Sequence, residues 1–240
     1  MKAGIFAAGF GERLGGAARG PKGMTPVAGR PLVDWVLDDL DRAGVEEIVV
    51  IVNEQSSAMR DHVTREHPRL PIRWIVETTP SSMHSFFRVM GDLTRGGDAG
   101  PFLVSTVDTI APPGTFGSFA ARAAAVSGAD VVLALTSHID DEKPFRIRIG
   151  DGGGGSGIVE AMNEGPLATA GYSMVGAAVL READPARAAG LCALREFFAH
   201  IFARGYRFAG VCMPDSVDVD RAADVAAAER LIRAVRGGAS

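Results

Sequence analysis

Arg13 and Lys22 are cations of a glycine-rich stretch, Ala7-Ala8-Gly9-Phe10-Gly11-Glu12-Arg13-Leu14-Gly15, followed by Pro21-Lys22-Gly23-Met24-Thr25-Pro26-Val27-Ala28-Gly29-Arg30-Pro31. Glycine lets backbone amides approach an anion closely, and Arg and Lys add positive charge, so these residue types can cradle phosphate groups. Eight of the 30 glycines fall within residues 1–30. Lysine is rare: of 25 Lys and Arg, only Lys2, Lys22 and Lys143 are lysines, which agrees with a specific role for Lys22. Two familiar phosphate loops do not fit. A dinucleotide fingerprint needs a third glycine where Leu14 stands and an acidic residue closing the second strand, where Asn53 stands. A Walker loop needs Ser or Thr after its lysine, and Lys22 is followed by Gly23.

The elements that must hold this loop alternate along the chain. Short apolar runs read as strands at Lys2–Ala7, Glu47–Val52, Ile72–Val76, Phe102–Val107, Val131–Leu135, Thr169–Leu180 and Arg207–Cys212. Between them, helical spacing marks Pro31–Ala43, Ser56–Glu66, Ser81–Leu93, Phe116–Val126, Leu191–Arg204 and a closing helix Arg221–Val235. Phe145–Ile149 and Gly157–Met162 flank a glycine tract and read as a hairpin. This alternation predicts an α/β fold: a single Rossmann-like, mostly parallel (mixed) sheet, helices on both faces, and a small hairpin lobe. In such sheets ligands bind beyond the carboxyl ends of the strands, where the glycine loop falls. No linker or repeat divides residues 1–240, which read as one domain.

Composition removes several classes. A net charge of -4 supplies no field for nucleic acid or an anionic membrane. Cys192 and Cys212 make no disulfide scaffold, and the five histidines have no metal-ligand spacing. Ala3–Phe10 is too short for a signal peptide, and the uncharged stretch Gly165–Leu180 contains Pro166 and does not span a bilayer. The expectation is a soluble cytoplasmic protein.

Gly9-x-Gly11-x-Arg13-Leu14, then Pro21-Lys22, then Pro26-Val27-x-Gly29-Arg30-Pro31-Leu32, resembles the signature of the nucleotidyltransferase family with a glycosyltransferase-A-like fold. That family takes in sugar-phosphate nucleotidyltransferases and MobA-like NTP transferases. The resemblance is close over residues 3–52 and weaker to the end of the chain. It implies an enzyme of the EC 2.7.7 class, a pyrophosphorylase-type transferase. It would move a nucleotidyl group from a nucleoside triphosphate to a phosphorylated acceptor resembling a sugar 1-phosphate, and release pyrophosphate. The partners implied are the NTP and a small acceptor, and self-association into a homo-oligomer is left open. Residues 1–137 would form the nucleotide-binding half and 138–240 the acceptor-binding half with the closing helix.

Residue by residue, the resemblance implies that Arg13 holds the β- and γ-phosphates and that Lys22 lies at the α-phosphate. Ala8, Gly9 and Gly11 would meet the nucleotide. Ser81 and Ser82 stand where relatives carry a base-reading Gly-Thr-Ala segment, and Ser81 equally suits a helix N-cap. Asp108, directly after an apolar strand, matches the first ligand for Mg²⁺ or Mn²⁺. Ser216-Val217-Asp218-Val219-Asp220-Arg221 matches the second, with Asp218 the metal ligand and Asp220 the better candidate for capping the closing helix. On the acceptor side Arg146, Glu164 and Gly171 stand where relatives hold a sugar; Arg146 replaces a glycine, and a lysine is missing after Glu164. These departures favour non-sugar acceptors as an alternative, such as molybdopterin, phosphocholine or inositol phosphate, or a non-catalytic nucleotide-sensing module. A Rossmann oxidoreductase is a distant third reading. The run Gly152–Gly155 reads as a flexible hairpin tip, and neither the base nor the acceptor is fixed by sequence.

Overall fold

The computed structural model describes residues 1–11, 14, 20–137, 139 and 144–237, the side chain of Arg236 excepted; Arg13 lies outside the described residues. The first half contains β1 (Lys2–Ala7), β2 (Pro26–Val27), β3 (Arg30–Pro31), α1 (Leu32–Arg42), β4 (Glu47–Val52), α2 (Ser57–Glu66), β5 (Ile72–Val76), α3 (Ser82–Leu93), β6 (Phe102–Thr106), β7 (Thr109–Ile110), α4 (Thr115–Ala124) and β8 (Val131–Thr136). The second contains β9 (Arg146–Ile149), β10 (Ser156–Met162), β11 (Leu167–Val175), α5 (Ala183–Ala188), α6 (Leu194–Ala203), β12 (Phe208–Cys212), β13 (Val217–Asp218) and α7 (Ala222–Gly237). No described helix is long and apolar enough to cross a membrane.

Among the described residues nine strands form one mixed sheet in the order β5-β4-β1-β6-β11-β8-β12-β10-β9. β5, β4, β1 and β6 run parallel, as do β8 and β12, while β11 runs antiparallel between β6 and β8. Parallel strands buried on both faces read as unbroken apolar runs, which is why Glu47–Val52 shows no alternation. Its last five residues are buried. Two apolar clusters cover the two faces. One gathers α1, α2 and α4 residues against Ile5, Ile48 and Leu103, and the other gathers α3 and α6 around Phe86, Phe197 and Val104. In α1, Leu32, Val33, Val36, Leu37 and Leu40 are at most 1% exposed, each contributing roughly 1.5–3 kcal/mol by burial.

The β9–β10 hairpin is stitched into the sheet on both sides, β10 to β12 and β9 back to β11. Its glycine tip is held. Arg122 of α4 donates to the carbonyls of Gly154 and Cys212, and a side chain at Gly157 would lie 1.9 Å from the Gly150 carbonyl oxygen. The strand expected to continue to Leu180 ends at Val175. Gly176 leads into a 3-10 segment, Ala177–Glu182, and then α5.

Candidate active site

Asp108 follows β6, and Asp218 ends β13, far along the chain. A two-stranded antiparallel ladder joins them: β7 pairs with β13, Thr109 opposite Asp218 and Ile110 opposite Val217. The Val219 amide donates to the Asp108 carbonyl at 3.0 Å, closing the junction. β11 passes close behind. Gly171 has φ +78°, and a Cβ there would lie 2.1 Å from Thr109 Oγ1 and 2.9 Å from Asp218 Oδ1. The glycine is therefore required by the carboxylate site, both for its backbone conformation and for space.

Lys22 enters from the opposite side. It begins a 3-10 turn, Lys22–Met24, whose end is pinned by the Thr25 amide donating to the Lys22 carbonyl at 3.0 Å. The glycine loop packs on its stem: a Cβ at Gly9 would lie 3.9 Å from Lys22 Cδ, and one at Gly11 3.3 Å from Lys22 Cβ. The ammonium donates to both Asp108 and Asp220. Burial works against its charge, but the two carboxylates outweigh that and hold the lysine above its ordinary range. Loss of solvation and, after it, the Asp108 charge push Asp218 up to about 7, although Asp218 is open to the cleft's own solvent. Thr109 Oγ1 opposes the shift by donating to Asp218 Oδ1 at 2.8 Å, and a hydrogen bond of 2.8 Å joins the Thr109 and Thr106 hydroxyls.

Asp108, Asp218 and Asp220 line one cleft of about 470 Å³. The cleft extends along β6, β11 and β8 to Phe6, Val104, Leu133, Phe145 and Phe198, and both Ser82 and Gly171 reach it. Ala8, Gly9 and Gly11 lie just beyond Phe6 at the end of β1, where the Ala8 carbonyl accepts from Asn53 Nδ2 at 2.9 Å. The other sequence candidates fall differently. Ser81 occupies the N-cap position of α3 but makes no side-chain cap bond; its hydroxyl is hydrogen-bonded to His84 Nδ1 at 2.8 Å. The Ser82 hydroxyl accepts from the Leu194 amide at 3.1 Å, tying α3 to the start of α6.

Three of the sequence candidates are placed away from their expected roles. Asp220 turns its side chain to Lys22, and α7 begins at Ala222. The carboxylate that meets the amides ahead of α7 belongs to Asp224, which accepts from Asp220 N at 3.0 Å and Arg221 N at 2.7 Å. Arg146 and Glu164 do not line the cleft. Arg146 is exposed and donates to the Gly165 carbonyl at 3.1 Å, and Glu164 pairs with Arg148 at 2.8 Å on the exposed hairpin. Alternation along β9 carries Arg146 and Arg148 outward while Ile147 goes inward. Sequence reasoning missed Thr106, Thr109, Arg195 and Arg221, all of which line the cleft or its carboxylates. The one local signal for Thr109 was its place beside Asp108.

Magnesium asks for one or two carboxylates, with phosphate oxygens and water completing its octahedron. Among the described residues no cluster of three or more His, Cys, Asp or Glu could hold a metal alone. Two hard-oxygen donors brought together by the β7–β13 ladder, Asp108 and Asp218, fit a cation that arrives with a phosphate-bearing ligand.

Such a fold and site define a Rossmann-like α/β domain with a carboxylate-lined cleft. Residues 3–148 match the model of the MobA-like NTP transferase domain, and the chain belongs to that family. It is 37% identical over 86 residues to CMP-5'-(3-aminopropyl)phosphonate synthase of Streptomyces rubellomurinus, covering 35% of this chain and 14% of that protein. It is 36% identical over 62 residues to UTP--glucose-1-phosphate uridylyltransferase of Staphylococcus haemolyticus, covering 25% of this chain and 22% of that protein. The chain thus spans less than a quarter of the length of these relatives. A UDP-glucose pyrophosphorylase complexed with UDP-glucose superposes with a TM-score of 0.79 at 14% identity, covering 95% of this chain and 97% of that one. The inositol-1-phosphate CTP transferase from T. maritima superposes with a TM-score of 0.77 at 18% identity, covering 99% and 96%. These two structures share the Rossmann-like fold.

Proposed function

We propose that the chain is a nucleotidyltransferase that moves an NMP group from an NTP to a phosphate- or phosphonate-bearing acceptor and releases pyrophosphate. The observation that carries this is the meeting of Lys22, Asp108, Asp218 and Asp220, drawn from three distant segments, at a ligand-sized cleft. The family supports it, as do relatives whose names describe nucleotidyl transfer to glucose 1-phosphate and synthesis of a CMP-phosphonate.

The reaction needs positioning more than covalent help. An acceptor oxygen attacks the α-phosphorus in line, and several anions must be held together while charge shifts onto the departing pyrophosphate. In this reading Gly9, Gly11 and Ala8 present the backbone beside the triphosphate, and Lys22 moves its charge from Asp108 and Asp220 to the α-phosphate. Arg13 is assigned to the β- and γ-phosphates. Asp108 and Asp218 would hold Mg²⁺ or Mn²⁺, which supplies charge neutralisation across the phosphates. Thr109 fixes the Asp218 carboxylate in place. The nucleotide belongs to residues 1–137 and the acceptor to the cleft completed by residues 138–240.

Pyrophosphate release measured with each of the common NTPs, MgCl₂ and a panel of phosphate and phosphonate acceptors tests the reading. Turnover with at least one pair, abolished in Asp108→Ala, is expected. NTP binding by calorimetry with no turnover for any pair would replace it with the nucleotide-sensing module.

A further inference from the structure

Resting on that reading, we propose that the acceptor carries its phosphate or phosphonate head on a short, hydroxyl-poor chain instead of a hexose ring. The far end of the cleft is carbon. Val104 and Leu133 are each 1% exposed, Phe198 5% and Phe145 8%, and Phe6 completes this end.

Three of the hydroxyls along the cleft are already engaged by the protein itself. Thr106 is bonded to Thr109, Ser82 accepts from the Leu194 amide, and Thr136 donates to Asp215 at 3.4 Å. Tyr172 turns its ring into the opposite core, edge-on to Phe116 and Phe119 at 5.2 and 5.1 Å between centroids. A hexose ring presents several hydroxyls, and each one set against this wall would be stripped of water without a partner. Arg146 and Glu164, which could have met such hydroxyls, face away on the hairpin.

Charge gathers at the carboxylate end, where Lys22 lies beside Asp108 and Asp220, and Arg221, paired with Asp224, lines the cleft just before α7; Arg195 lines it one turn of α6 from Phe198. An anionic head among these groups, with a few methylenes against Phe6, Val104, Leu133 and Phe198, matches both ends. The chemistry balances: an acceptor oxygen donates a lone pair to the α-phosphorus and forms a P–O–P bond. The α–β bridging P–O bond breaks with its electron pair on pyrophosphate, and a dianionic acceptor has no proton to lose.

The test compares propylphosphonate, propyl phosphate and glucose 1-phosphate at equal concentration with the full chain, MgCl₂ and each NTP in turn, reading pyrophosphate release. At least one propyl acceptor is expected to exceed glucose 1-phosphate in kcat/KM by about tenfold or more, the scale on which mismatched polar groups discriminate. Turnover of propylphosphonate alone narrows the class to phosphonates, and of propyl phosphate alone to monoesters; both uphold the proposal. Glucose 1-phosphate used as well or better overturns it and leaves nucleotidyl transfer standing. Pyrophosphate from none of the acceptors with any NTP overturns the proposal together with the transfer reading beneath it.

Discussion

Thr109 is a small side chain with two partners, accepting a hydroxyl neighbour on one side and gripping Asp218 on the other. Groups that orient a metal-binding carboxylate commonly affect metal affinity by 10–100-fold. Thr109→Val should therefore weaken Mn²⁺ binding by about tenfold, read by electron paramagnetic resonance in the presence of NTP, and Thr109→Ser should restore it. Equal Mn²⁺ affinity in all three proteins would show that the hydroxyl only fills space. Lys22→Met should lower kcat/KM by about 10²–10³-fold, the usual loss when a charge-stabilising donor at the reacting phosphate is removed. At this scale, the sequence announced Lys22 through the glycine loop, and Asp108 and Asp218 through resemblance to a family. It could not announce Thr109. That contact exists only because β7 and β13 pair in one register, and two-residue strands leave no periodic pattern to detect.

Elements were the most legible level. β1 and β4 fall where the apolar runs place them, because strands buried in a parallel sheet are apolar almost throughout; β5, the half-exposed edge strand, falls there too despite Arg73. The strand ending at Val175 was overextended since Ala177, Val179 and Leu180 continue its apolar character; they pack against the α3–α6 core from a 3-10 segment. Links between elements were invisible. Asp39 of α1 accepts from the Gly114 and Phe116 amides and so caps α4 across space, a bond no local capping rule can foresee. Removing this buried acceptor orphans two amides at a helix start. Asp39→Ala should lower unfolding free energy by about 1–3 kcal/mol, measured as a shift in the urea midpoint at constant slope. Arg122 does the same work for the hairpin tip: the glycine tract that reads as flexible in sequence is anchored to α4 by its guanidinium.

Taken as one molecule, the fold carries a latch between two helices outside the cleft lining. Asp34 of α1, its side chain 8% exposed, is hydrogen-bonded to His62 of α2 at 2.9 Å and to His67 just after it at 3.0 Å. Burial would raise its pKa, but the bonds to His67 and then His62 outweigh it and leave the carboxyl below its ordinary 3.8. A lowered carboxyl stabilises the native state fully above that value and loses the contribution as pH falls below it. The stability gap between wild type and Asp34→Asn should accordingly shrink below about pH 4, followed by urea unfolding across pH; a gap independent of pH would refute the latch. The central claim concerns the cleft. Its most direct measurement is pyrophosphate release from an NTP and a phosphate- or phosphonate-bearing acceptor by wild type and by Asp218→Asn, with MgCl₂ present. Release by the wild type and a loss of about 10²-fold or more in the variant is the predicted result; equal rates in the two proteins, or none in either, would contradict it.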